Sequence, residues 1–127
     1  IFLRGDRDAI IQIFLNILTN SVQAIQENEG TITIETRIKL GATIGRRYYS
    51  EAIETKIMDT GKGIDPRIRD SIFLPLVSDK TDGSGLGLPI AQKLAKFSNG
   101  LISIEPHPLL TVFVVRFPLG EINNESI

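Results

Sequence analysis

The 127-residue chain contains no cysteine. A disulfide framework, a thiol nucleophile and a thiolate metal site are therefore excluded, and a reducing compartment is permitted. Nor is there a basic surplus: 14 Lys+Arg stand against 15 Asp+Glu, for a formal net charge of -1. Nucleic-acid-binding domains carry a clustered basic excess, so a polymer of phosphates is not the expected partner. No uninterrupted apolar stretch approaches the roughly 20 residues of a membrane span, and no membrane contact is expected. Ile1-Phe2-Leu3-Arg4 offers neither an initiator methionine nor a signal-peptide pattern, so the sequence reads as a piece of a longer polypeptide. What is present, 42% hydrophobic and 23% charged residues without internal repeats, suits one folded domain.

Asp6 or Asp8 can cap a helix over Ala9–Gln26, where Ile11, Leu15, Leu18, Val22 and Ile25 form an apolar stripe widened by Phe14 and Ile17. Gln12, Asn16, Asn20, Gln23 and Glu27 line the other side at helical spacing. Thr31–Leu40 alternates as a half-buried strand, Gly41–Ser50 reads as a loop, and Ala52–Asp59 reads as a second strand. Asp65 and Pro66 open a short helix through about Phe73, and Leu74–Ser84 reads as a loop. A third helix spans roughly Leu86–Phe97, with Gly100 suited to the left-handed position after it. Leu101–Glu105 and Thr111–Phe117 complete the strands.

Asp59 falls on the more apolar face at a strand end, where a carboxylate is costly to bury without donors. It can cap the glycine turn that follows, or it can receive a ligand amino group, with Gly61 and Gly63 letting the ligand lie against backbone. Gly83-Ser84-Gly85-Leu86-Gly87-Leu88 opens the third helix, whose free amides and dipole suit an anion such as phosphate. No strand directly precedes it and no Gly-Lys-Ser/Thr follows, so neither a dinucleotide fingerprint nor a P-loop is present. Asn16 and Asn20 are surface amides or ligands of a hard cation such as Mg2+, which takes few protein oxygens in phosphate sites. Lys80 is a solvated side chain unless a triphosphate lies beside it, and the inward hydroxyl of Thr111 assists base recognition or bonds local backbone.

In their order along the chain, these motifs resemble the ATP-binding catalytic domain of sensor histidine kinases, in the superfamily shared with DNA gyrase, the heat-shock chaperones and the MutL repair proteins. Leu15-Asn16-Ile17-Leu18-Thr19-Asn20-Ser21 is similar to the asparagine box, which assigns Asn20 to Mg2+ and Asn16 to its support. Asp59-Thr60-Gly61-Lys62-Gly63-Ile64 resembles the adenine box, with Asp59 taking the exocyclic amino group. Ile72-Phe73-Leu74-Pro75-Leu76 resembles the phenylalanine box at the root of an ATP lid, and Gly83 to Leu88 the glycine box around the phosphates. Leu74-Pro75-Leu76-Val77-Ser78 and Asn20-Ser21-Val22-Gln23-Ala24 are most like the nitrogen-regulation sensor kinases of the NtrB subfamily. Gln23 departs from the basic residue of many members, and Pro106-His107-Pro108-Leu109-Leu110 replaces a glycine-containing turn.

The resemblance implies a two-layer α/β sandwich over residues 1–119, a mixed sheet of about five strands packed on three helices, with a polar tail at 120–127. It implies a cytoplasmic protein that transfers the γ-phosphate of Mg-ATP to a histidine on a dimerisation domain outside this fragment. An NtrC-like response regulator and a PII-type signalling protein are the further partners implied. The alternatives are a superfamily ATPase, a protein-serine kinase, or a nucleotide-sensing module without chemistry. Hydrolysis is disfavoured because Asn16 stands where the hydrolases carry a glutamate, and a carboxamide takes up no proton near neutral pH. His107, in a turn, is expected to be an exposed turn residue and not the phosphoacceptor.

Overall fold

The computed structural model describes residues 6–25, 29–74 and 87–119. Their order is α1 (Arg7–Ile25), β1 (Ile32–Ile44), β2 (Arg47–Asp59), a 3-10 turn (Arg69–Ser71), α2 (Gly87–Phe97), β3 (Leu101–Glu105) and β4 (Thr111–Pro118). The strands form one sheet in the order β1-β2-β4-β3, and every neighbouring pair is antiparallel. The α/β sandwich is therefore as expected, but the described sheet has four strands, is not mixed, and is backed by two α-helices.

Side-chain alternation sets the layers. Ile57 of β2, Phe113, Val115 and Phe117 of β4 and Ile102 of β3 join Ile13 and Ile17 of α1 and Ala91 and Ala95 of α2 in one buried cluster. The buried side of α1 carries Ile13, Ile17 and Ser21, with Ile10, Phe14 and Leu18 packed beside them. Ile11, Leu15 and Val22, placed on the apolar stripe by periodicity, are 47%, 52% and 59% exposed. The helix has apolar residues around most of its circumference, so spacing alone allows two stripes, and packing on the sheet selects one. At 19 residues and mean hydropathy 1.2, α1 also meets the length and composition of a membrane span, contrary to the sequence reading, yet its Ile13–Ile17 side lies in the domain core.

Gly41–Ser50, read as a loop, is the end of a long hairpin: β1 and β2 stay in register to the Ile44–Arg47 pair, leaving a two-residue turn at Gly45-Arg46. Ala42, Ile44, Tyr49 and Ala52 make a second small core there, and β-branched and aromatic residues outweigh the scattered glycines. The short helix expected from Pro66 is a set of turns around the 3-10 segment. After α2 the left-handed residue is Asn99, with φ 62°, and not Gly100. Gly100 meets a different demand, since a Cβ there would stand 2.5 Å from the Phe117 ring.

On the outer face of the sheet Glu54 is buried between its cross-strand neighbours Arg37 and Arg116. Their Nε atoms lie 3.0 and 2.7 Å from its carboxylate oxygens. Burial alone raises the Glu54 pKa, but the bonds from Arg116 and Arg37 outweigh it and the net shift is downward.

Candidate functional site

The C-terminal end of β2 delivers Asp59 to the interior beside the last turns of α1. Asp59 is 1% exposed. Its Oδ1 accepts the Gly61 backbone N–H at 2.9 Å, so the capping role is real, but its Oδ2 is buried with no hydrogen-bond partner among the described residues. An unpaired buried carboxylate oxygen costs free energy unless something donates to it, so Oδ2 is an acceptor with capacity to spare. Thr111, the register partner of Asp59 on β4, is also buried and stands on the same face.

The glycines of this turn serve different contacts. A Cβ on Gly61 would come within 2.7 Å of the Ala24 carbonyl group, so this residue allows the turn to press against α1. The Lys62 N–H, bonded to the Ala24 carbonyl at 3.2 Å, fastens the same junction. Gly63 has φ 82°, a conformation L side chains rarely adopt, and its Cβ position would face Thr111 Oγ1 at 3.8 Å. Backbone openness toward a ligand thus fits Gly63, while Gly61 answers to the helix.

Asn16 joins the two helices. Its Oδ1 accepts from Gln12 Nε2 at 2.6 Å, and its Nδ2 donates to the Gly87 carbonyl at 2.9 Å. The asparagine-bearing face of α1 is thereby tied to the first turn of α2, across 71 residues of sequence. Asn20, one turn further along α1, is half-buried. Ile64, Phe73 and Leu88 are partly buried against the main core, with Ile72 fully buried among them. Pro75, Leu76, Lys80, Gly83, Ser84, Gly85 and Leu86 lie outside the described residues, as does the tail at 120–127.

Gln12 and Ser21 belong to this neighbourhood and were not singled out by sequence. Gln12 carried a signal, its place on the carboxamide stripe. Ser21 carried none, because a small hydroxyl inside a helix reads as neutral. Asp65, expected as a cap, accepts the Arg67 N–H at 2.9 Å and pairs with its guanidinium, which holds the carboxyl at about 2. His107 is exposed, and its Nδ1 accepts from the N–H groups of Leu109 and Leu110 at 3.0 and 2.9 Å, making it the cap of its own turn.

The family profile described as "Histidine kinase-, DNA gyrase B-, and HSP90-like ATPase" matches residues 5–121. The chain belongs to this family. The family's printed description, an ATPase, implies nucleotide binding. Among curated proteins, the chain is 40% identical over 115 residues to the sensory histidine kinase/phosphatase NtrB of Vibrio alginolyticus, covering 90% of this chain and 33% of that protein. It thus spans about a third of the length of the curated relatives it matches. Among solved structures, the nucleotide-free catalytic domain of histidine kinase ThkA superposes with a TM-score of 0.73 at 27% identity, over 91% of this chain and 70% of that one. Full-length ShkA in complex with AMPPNP superposes with a TM-score of 0.64 at 26% identity, over 87% of this chain and 21% of that one.

Proposed function

We propose that this domain is the ATP-binding half of a sensor histidine kinase, and that Asp59 recognises the adenine amino group. The buried, unpaired Oδ2 of Asp59 is the observation that carries the reading. Thr111, Gly63 and Ile64 complete the base end, with Gly61 holding the turn to α1. Phe73 and Leu88 flank the pocket. The phosphates extend toward Gly87 at the start of α2, and the glycine motif of Gly83, Ser84, Gly85, Leu86 and Gly87, with the charge of Lys80, is assigned to them by its residue types. Asn20 is the side chain assigned to Mg2+, with Asn16 supporting it by holding α2 in place. Bound Mg-ATP supplies the phosphoryl group; the chain's own part is to position it and neutralise its charge.

Hydrolysis as the main reaction is opposed by Asn16, whose carboxamide is engaged at both ends and takes up no proton. The acceptor in this reading is a histidine on a separate dimerisation domain of a cytoplasmic parent protein. The relatives' name extends the proposal to nitrogen regulation, with an NtrC-like response regulator and a PII-type protein as partners. The experiment is transfer from labelled ATP to an added histidine-bearing dimerisation domain. Acid-labile phosphate on that domain and none on this chain is the expected result. Rapid phosphate release by this chain alone would favour the hydrolase instead.

A further inference from the structure

At the tip of the long hairpin a cleft of about 350 Å3 opens between the β1–β2 turn and the end of α2. Its floor is apolar: Ile44 and Tyr49 are buried, and Leu101, at the start of β3, packs against them. Its rim is basic. Arg46 and Arg47 stand on the hairpin side and Lys96 on the helix side, all three exposed, and no carboxylate lines the cleft. None of these three is ion-paired among the described residues, whereas Arg37, Lys56, Arg67 and Arg116 all are. The end of α2 adds roughly half a negative charge here, which three full positive charges outweigh.

Cations gathered around one opening repel one another, and an entering anion relieves the repulsion. Next to the rim in sequence, Tyr48 and Phe97 are 71% and 76% exposed. Arginine and aromatic side chains are the types that protein interfaces concentrate. We infer that this cleft docks an acidic segment of a partner protein, whose carboxylates pair with Arg46, Arg47 and Lys96 while a large apolar side chain between them lies on Tyr49 and Leu101. A phosphate polymer would ask for an extended basic stripe, and this chain has a net charge of -1 and a short basic rim over an apolar floor. The cleft is separate from the nucleotide pocket. Arg47 and Asp59 are the two ends of β2, roughly 40 Å of extended strand apart.

The test uses the full 127-residue chain and a short fluorescent peptide of alternating glutamate and leucine, read by anisotropy. The peptide should bind, and its affinity should fall as salt is raised from about 50 to about 200 mM. Arg46→Ala with Arg47→Ala, and separately Lys96→Ala, should each weaken it by about tenfold. Arg69→Ala, an exposed cation on the 3-10 turn, should leave it unchanged. All of these side chains are exposed, so the unfolding midpoint should stay constant across the set. Equal affinity in the wild type and the cleft variants would overturn the inference. So would equal binding of a peptide with glutamine in place of glutamate, which marks an apolar patch only, or displacement of the peptide by inorganic phosphate, which marks a small-anion site. A gain in peptide affinity on removing residues 120–127 would also overturn it, by making the chain's own Glu121 and Glu125 the occupants.

Discussion

Both ends of the Asn16 carboxamide are occupied, one by Gln12 and the other by the Gly87 carbonyl. Asn16→Ala should loosen the start of α2 and weaken ATP by about tenfold while leaving adenosine affinity nearly unchanged, since only the phosphate end depends on that tie. Parallel titrations with the two ligands check it. Asn20→Ala should behave differently, removing mainly the Mg2+-dependent part of binding. If ATP affinity in the variant responds to Mg2+ as it does in the wild type, Asn20 is not the ligand. At this scale the sequence was informative where a residue type conflicts with its position: a carboxylate on the apolar face of a strand end announced Asp59. It was silent about Ser21, whose burial depends on which side of α1 meets the sheet.

Among the elements, the junction between the end of α1 and the turn after β2 is the most exacting, because Gly61 and Ala24 leave no space for a side chain. Gly61→Ala should cost about 1–3 kcal/mol of stability, as overpacked sites do, and should weaken ATP as the turn carrying Asp59 shifts. Denaturant unfolding and calorimetry measure the two effects. The long hairpin was legible at its base, Thr31–Leu40 and Ala52–Asp59, and not at its tip, since Gly41 and Gly45 break the alternation that Tyr48, Tyr49 and Ile44 sustain in three dimensions. Its outer face supplies a pH prediction. The folded-state pKa of Glu54 is lowered, so its contribution is present above the unfolded carboxylate pKa and is lost as pH falls through the folded value. Glu54→Gln should cost about 2 kcal/mol near pH 7 and flatten the loss of stability below about pH 4.5. Urea unfolding across that range, with equally steep acid limbs in both proteins, would remove the arginine cluster from the account.

For the whole molecule, the sandwich was readable because alternation and helical spacing report which faces are buried. The strand directions and the choice of the helix face were not, because both are settled by contacts between distant segments. Among the described residues, motif segments distant in sequence meet at α1: Asn16 bonds the start of α2, and the same helix receives the Asp59 turn at Ala24. In the function proposed here, this junction is an adenine-nucleotide pocket organised by the buried Oδ2 of Asp59. Calorimetric titration of ATP into the wild-type chain and into Asp59→Asn tests it most directly. Asparagine keeps the shape but can turn an amide N–H toward the base amino group, so affinity should fall by at least about 10- to 100-fold, the cost of an unpaired buried polar group. Equal ATP affinity in the two proteins, with both folded, would contradict the claim.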